Sequence, residues 1–334
     1  LKKILVIRFS SIGDIVLISP VLRCLNQQLP DAEIHVLTRK PNRNLFLRNP
    51  YVKKVFFYDQ KLEEVVDELQ SEQYDHIVDL HKNFRSFYIR RKLGKPVTSF
   101  PKLNIQKYLL VQFKIRKMPD IHIVDRYFDA VKTLNIVNDQ KGLDYFPTSE
   151  NLSFPADFSF QKGYYAIVIG GKHTTKILPA EKVVDICMLL DLPVVLLGGK
   201  EDAERGSFIF NELKNNVYNA CGRSSLDESA HFLQNAAAVL TNDTGLMHIA
   251  AALHKPIVSV WGNTVPELGM YPYLPDENEK SIIIENREVS CRPCSKIGFE
   301  KCPKGHFNCM KSLSDNEIAN SLILLRQKFA YGND

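Results

Sequence analysis

Short β-branched runs separated by single helices occur in two series along this chain, and that doubling constrains the fold more than any other feature. In the first series KILVIRF (3–9), EIHVLT (33–38), KKVFFYD (53–59) and YDHIVDL (74–80) alternate with helical patterns such as 15–29 and 62–70. Apolar runs joined by helix-length segments pair in parallel, because a parallel neighbour needs a crossover long enough to hold a helix. Residues 96–117 are less regular, and VDRYFDAVKTL (124–134) reads as the helix that closes the series. DYFPTSENLSFPADFSFQKG (144–163), with two prolines and several polar residues, reads as a linker.

The pattern then restarts. YYAIVIG (164–170), PVVLLGG (193–199), VYNACG (217–222), AAAVLTND (236–243) and PIVSVWG (256–262) read as strands, with helices at about 179–191, 201–214, 226–235 and 245–254. SDNEIANSLILLRQKF (314–329) opens on a capping pattern and keeps apolar residues at helical spacing, which makes it a terminal helix. At 334 residues the chain suits two domains of about 150 residues each. The expected architecture is α/β: two Rossmann-like domains whose parallel sheets face across a cleft. The N-terminal domain takes 1–150 and the C-terminal domain 151–313. The terminal segment 314–334 follows, with the N-terminal domain as a candidate surface for it to pack on.

Hydrophobic residues make up 45% and charged residues 24%, ordinary proportions for a water-soluble protein, and no apolar run approaches the roughly 20 residues of a membrane span. The sequence as it stands opens on a strand-like run without the pattern of a signal peptide. Its seven cysteines, an odd number in a large chain, suit a reducing compartment, so a cytoplasmic protein is expected. Charge is uneven. Residues 1–150 hold 25 Lys and Arg against 17 Asp and Glu, and the remainder holds 18 against 21. From Lys82 to Lys117 there are eleven basic residues and no acidic one. A charge run is ordinarily a solvated face, but one so one-sided suits attraction to a polyanion or an anionic membrane surface.

In open parallel sheets, ligands bind at the carboxyl ends of strands, where helix N-termini aim free N–H groups outward. LTNDTGLMHIAAAL (240–253) puts Asp243, Thr244 and Gly245 at such an end. Gly245 lets the backbone approach closely, the N–H groups after it favour an anion, and the Thr244 hydroxyl can donate. His248 lies one turn further in. Alone, the pattern equally describes an Asx turn with an N-cap. Two other strand ends agree with a ligand: GGKHTTKILP (170–179), with Thr175 and Lys176, and GGKED (198–202), whose Glu201 or Asp202 suits ribose hydroxyls. A Walker GxxxxGK[ST] is absent, and no GxGxxG follows either first strand, so the ends together point to a nucleotide diphosphate. In the first series, RFSSIGDIV (8–16) ends its strand in a polar turn and places Asp14 at a helix start. Asp14 is there either as a helix-dipole partner or as a general base on an acceptor hydroxyl. Ser11 and Gly13 of this turn, with Lys82 and Arg85 of the basic tract, are the candidate acceptor-binding residues.

RFSSIGDIVLISPVL, TKILP, LLGGKEDAE and TNDTGLMHIAAAL followed by PIVSVWG resemble, in order and over nearly the whole chain, the heptosyltransferase family. This is glycosyltransferase family 9, which builds the inner core of bacterial lipopolysaccharide. The resemblance implies a GT-B fold, an inverting mechanism, no required cofactor or catalytic metal, and a nucleotide-diphosphate-sugar donor, typically ADP-heptose. It implies Asp14 as catalytic base and Lys176, beside Thr175, at the donor phosphate. It implies Asp243 at the donor sugar, Thr244, Gly245, Leu246 and His248 at the pyrophosphate, and Asp202 as a further donor-binding residue. One departure is Leu178, where some members carry tryptophan. The implied acceptor is an acidic glycolipid, which the basic tract suits, with the protein peripheral on the inner face of the bacterial inner membrane. Most of the tract's aromatics, Phe84, Phe87, Tyr88 and Tyr108, are expected in the core, with a reach to the membrane interface as the alternative.

CRPCSKIGFEKCPKGHFNC (291–309) gathers Cys291, Cys294, Cys302 and Cys309 around His306. C-x₂-C with two later cysteines suits a structural zinc, yet the other spacings are not those of a standard ribbon; reduced or disulfide-paired thiols are the alternative. Cys24, Cys187 and Cys221 read as small buried apolar residues. Two other functions stay open: a GT-B enzyme using another sugar nucleotide, and a nucleic-acid or polyanion-binding module. The tract lacks RNP, KH or zinc-finger spacing and the phosphate-suited turns lie in the acidic half, so no nucleic-acid partner is expected.

Overall fold

A computed structural model of the chain describes residues 2–148, 152–156, 158–160 and 163–329. It divides into two compact units, Leu1–Lys102 with Ile121–Thr148, and Leu103–Asp120 with Ser149–Asp334. The first unit runs β1 (Lys3–Ile7), α1 (Ile12–Val16), α2 (Ser19–Gln28), β2 (Glu33–Arg39), α3 (Asn44–Leu47), β3 (Lys54–Tyr58), α4 (Glu63–Ser71), β4 (His76–Asp79), α5 (Phe84–Leu93) and β5 (Val97–Ser99). Helix α6 (Asn104–Phe113) belongs to the second unit, and the chain returns to the first with α7 (Ile123–Phe128).

All strands of the first sheet are parallel, in the order β3-β2-β1-β4-β5. Ile4, Leu5, Val6 and Ile7 of β1 are wholly buried, as a central strand covered on both faces requires. The sequence pattern 15–29, read as one helix, is two. Pro20 lacks the N–H that a continuous helix would need and instead sits in the first turn of α2.

The second unit contains β6 (Tyr165–Val168), α8 (Ala180–Met188), β7 (Val194–Leu197), α9 (Ala203–Leu213), β8 (Val217–Asn219), α10 (Leu226–Asn235), β9 (Ala238–Asn242), α11 (Gly245–Ala252), β10 (Ile257–Trp261), β11 (Ser281–Glu285), α12 (Asn308–Lys311) and α13 (Asp315–Phe329). Its sheet is also parallel, in the order β11-β10-β9-β6-β7-β8. Renumbered from β6, this is the 3-2-1-4-5-6 Rossmann order, with its topological switch between β6 and β9. The corresponding switch in the first sheet lies between β1 and β4.

Several expectations need correction. Helix α13 packs on α8, β9 and β10 of the second unit, where Ile318, Leu322 and Leu325 join that unit's core. The basic tract is not one surface of one domain, because Leu103–Asp120 belongs to the second unit. Strand β11 was not foreseen, although SIIIE carries a plain β-branched signal. In the expected linker, residues 149–151, 157, 161 and 162 lie outside the described residues, as do 330–334 of the terminal segment; the described linker residues form no helix or strand.

Candidate active site

In the second unit, the turns after β6 and β9 meet at the switch point. Gly171 lies so close to the second turn that a Cβ there would stand 3.3 Å from Thr244 Cγ2 and 3.2 Å from Ile177. Asn242 ties the turns together, donating from Nδ2 to Val168 O at 3.0 Å and accepting from Leu178 N at 3.2 Å. This brings Lys176 Nζ to 2.6 Å from Asp243 Oδ2, and Thr264 donates its hydroxyl to the same oxygen at 3.0 Å. Asp243 is followed by α11, with Thr244 at its N-cap and Gly245 as first residue. The first N–H groups of a helix have no intrahelical acceptor, so the helix presents donors and partial positive charge here. Thr244 Oγ1 is buried and has no hydrogen-bond partner among the described residues. A lysine, a helix N-terminus and an unsatisfied hydroxyl form an anion cradle, and the Asp243 carboxylate beside them can accept hydroxyl protons.

At the first unit's switch point, Asp14 lies in the first turn of α1. Its Oδ2 accepts from Ser11 N at 3.0 Å and Ser11 Oγ at 2.8 Å, while Oδ1 stands 2.5 Å from Arg8 NH2. Arg8, at the end of β1, is buried and held in turn by Leu80 O, Ser10 O and the Tyr127 hydroxyl. One carboxylate is thus fixed by a guanidinium that is itself fixed. The turn after β4 and the start of α5 carry the other expected residues: Lys82 donates to Phe100 O at 2.9 Å, and Arg85 lies exposed beside the Tyr58 hydroxyl. Three neighbours of Asp14 went unforeseen: Arg8, His81 and Lys102. Burial lowers the Lys102 pKa, and Arg8 and Lys82 add to the effect, so a cationic patch surrounds the carboxylate.

Residues 63–301 match the model of glycosyltransferase family 9 (heptosyltransferase), which is more than half of the chain. The chain belongs to glycosyltransferase family 9. It is 25% identical over 345 aligned residues to lipooligosaccharide heptosyltransferase 2 of Haemophilus influenzae, covering 88% of this chain and 92% of that one. Among solved structures it resembles a family 9 glycosyl transferase from Veillonella parvula (TM-score 0.76, 21% identity, 98% of this chain and 97% of that one). It also resembles E. coli ADP-heptose lps heptosyltransferase II (TM-score 0.71, 22% identity, 98% and 99%). At these identities the structural likenesses show the fold, which is GT-B as the sequence led us to expect.

Within this family 9 enzyme, three expected donor ligands are placed differently. Thr175 is buried, and its hydroxyl is consumed by Phe299, donating to the carbonyl at 2.9 Å and accepting from the N–H at 2.8 Å. It braces the donor turn from behind. Asp202 fills the space left by Gly170 and Gly198, where a Cβ would stand 2.3 Å and 2.8 Å from its side chain. Its carboxylate accepts from Gly199 N at 2.9 Å and Arg205 NH1 at 3.0 Å, which makes it a packing and capping group, with burial raising its pKa. His248 is 2% exposed, inside the first turn of α11. Leu246 is partly buried at that turn.

The cysteine segment wraps the same strand ends. Buried Arg292 donates to the carbonyls of Trp261, Gly262, Thr264 and Asn286 and to Glu285 Oε2, and Cys294 N donates to Asn263 O at 2.9 Å. Burial pushes Cys294 up to about 12 and Cys309 up to about 11. Among the described residues no group of three His, Cys, Asp or Glu side chains fits a metal ion, and the seven cysteines are free. The segment's visible role is to brace the donor turn. Arg292→Met removes five donated bonds and leaves Glu285, itself 6% exposed at its side chain, with Arg287 alone. A loss of about 3 kcal/mol is expected, read as a lower urea midpoint of the second unit.

His81 yields a pH prediction. Burial, with help from Arg8 and Lys102, lowers its pKa to about 4. An unfolded histidine titrates near about 6.5, so between those values the unfolded chain binds more protons and stability falls as pH drops. Urea unfolding across that window should show the first unit weakening from pH 6.5 towards 4. His81→Gln should flatten the slope.

Proposed function

We propose that this enzyme transfers heptose from ADP-heptose, with inversion and without a catalytic metal, to an acidic lipopolysaccharide inner-core acceptor. The observation that carries the reading is the donor turn: the Lys176–Asp243 pair and the unsatisfied Thr244 hydroxyl at the N-terminus of α11. Lys176 and the first N–H groups of α11 meet the diphosphate, and Asp243 accepts from sugar hydroxyls and fixes the anomeric carbon in line. The acceptor oxygen attacks that carbon from the side opposite the diphosphate. The bond to the leaving phosphate oxygen breaks with its electron pair, and Asp14 takes the acceptor proton. Lys176 and the helix end stabilise the charge that grows on the diphosphate, the work a divalent cation performs in other glycosyltransferases. Lys102, near Asp14, and Lys82, near Lys102, suit the acids of the acceptor. The names of the relatives support heptose and a lipopolysaccharide or lipooligosaccharide product.

The test incubates the purified protein with ADP-heptose and heptose-deficient lipopolysaccharide, measuring ADP release with and without EDTA and the anomeric configuration of the product. Release unaffected by EDTA, with an inverted linkage, is the expected result. Release only from another sugar nucleotide would reassign the donor. Retention of configuration would remove Asp14 from its role.

A further inference from the structure

Helix α6 departs from the usual logic of a surface helix, which turns polar residues outward. Its inner side is accounted for within the second unit. Leu110 is buried with Val265 and Leu268, and Met118 packs on the same cluster. Lys114 Nζ donates to Pro293 O at 2.7 Å, and Arg116 pairs with Glu267. The outer side is apolar as well: Ile105 is 73% exposed, Tyr108 59% and Phe113 60%, and Ile115 just beyond the helix is 42% exposed. Tyr108 and Phe113 stand edge to face, their rings 5.9 Å apart. Tyr108 is thus on the surface, as are Phe84 and Phe87 of the first unit, against the expectation that most of the tract's aromatics are core. From Leu103 to Met118 there are four basic residues, Lys107, Lys114, Arg116 and Lys117, and no acidic one.

We propose that α6 and the residues after it, 104–117, dock this enzyme on the surface of an anionic phospholipid bilayer. Ile105, Tyr108, Phe113 and Ile115 enter the boundary between headgroups and acyl chains, and Lys117 beside them meets headgroup phosphates. Apolar and aromatic side chains flanked by cations, with no acid among them, are what an anionic interface selects. A second copy meeting this face symmetrically would bring the cationic ends together, and a soluble acidic partner would not require the apolar strip. The proposal rests on the reading that the acceptor is a glycolipid. It adds the place where the enzyme touches the membrane. That place is tied to the chemistry, because the chain that α6 packs on, 263–268, includes Thr264, which donates to Asp243. Docking through α6 therefore seats the donor turn at a fixed height above the lipid.

The test uses the full chain and vesicles of phosphatidylethanolamine with phosphatidylglycerol, or of phosphatidylcholine alone, all lacking acceptor. The wild type should sediment with the anionic vesicles and at least tenfold less with the neutral ones. The triple variant Ile105→Ser, Tyr108→Ser, Phe113→Ser should lose at least tenfold of that partition. It should keep ADP release on a delipidated acceptor within about twofold and lose at least tenfold on vesicle-embedded acceptor. Because Trp261 is 1% exposed, a Phe113→Trp variant adds a second reporter: its emission should shift blue with anionic vesicles and be quenched by brominated lipid. Equal vesicle binding by wild type and triple variant overturns the proposal, and so does a Phe113→Trp variant whose emission ignores anionic vesicles. A wild-type dimer that the triple variant turns into a monomer overturns it as well. If α6 drives vesicle binding while no acceptor yields ADP, the docking stands and the proposed reaction falls.

Discussion

Asp14→Asn abolishes heptose transfer, by a factor on the order of 10³ or more, while ADP-heptose still binds with nearly unchanged affinity. The amide keeps the size of the side chain and can still meet Ser11 and Arg8 in part, but it cannot hold the acceptor's proton. Loss of a positioned general base costs about 10²–10⁴ in rate. The donor cradle is built from other residues, Lys176, Thr244 and the start of α11, so affinity for nucleotide sugar is insulated from the change. Isothermal titration with ADP-heptose, beside turnover on acceptor, separates the two quantities. A variant that loses donor affinity together with turnover would place Asp14 at the donor instead.

Lys176→Ala slows transfer by about 10²–10³ and weakens donor binding too, since one well-aimed donor to a developing oxyanion is worth about 3–4 kcal/mol. The effect has a second source. Lys176 stands 2.6 Å from Asp243, and both side chains are largely shielded from water. Without the ammonium, Asp243 keeps only the Thr264 hydroxyl and repels the incoming diphosphate. Raising the salt concentration should therefore restore part of the alanine variant's donor affinity, and Lys176→Arg should retain more activity than Lys176→Ala. Wild-type kinetics in the alanine variant would separate this pair from the diphosphate.

Much of this molecule could be read before any coordinates. Each central strand was visible as an apolar run, because a strand covered on both faces needs no polar side, whereas the edge strands β5 and β11 were missed. The ends of β1, β6 and β9 announced themselves as polar, glycine-bearing turns where a core has no use for them. Errors arose where one residue type serves two purposes. Thr175 and Asp202 carry the groups that a ligand would want, and both spend them on the protein: Thr175 on Phe299, Asp202 on Gly199 and Arg205. Helix α6 was missed because apolar residues on both its faces blur the amphipathic period.

The sequence by itself determined the class of fold, the two parallel sheets and the strand ends at which chemistry is possible, since these follow from local periodicity and from where glycine and short polar side chains interrupt it. Tertiary structure decided which of the polar groups remain unspent, that Arg8 grips Asp14, that Lys176 meets Asp243, and that α6 joins the second unit. Those outcomes depend on contacts between residues far apart in the chain, and only packing determines which partner reaches a donor or a charge first.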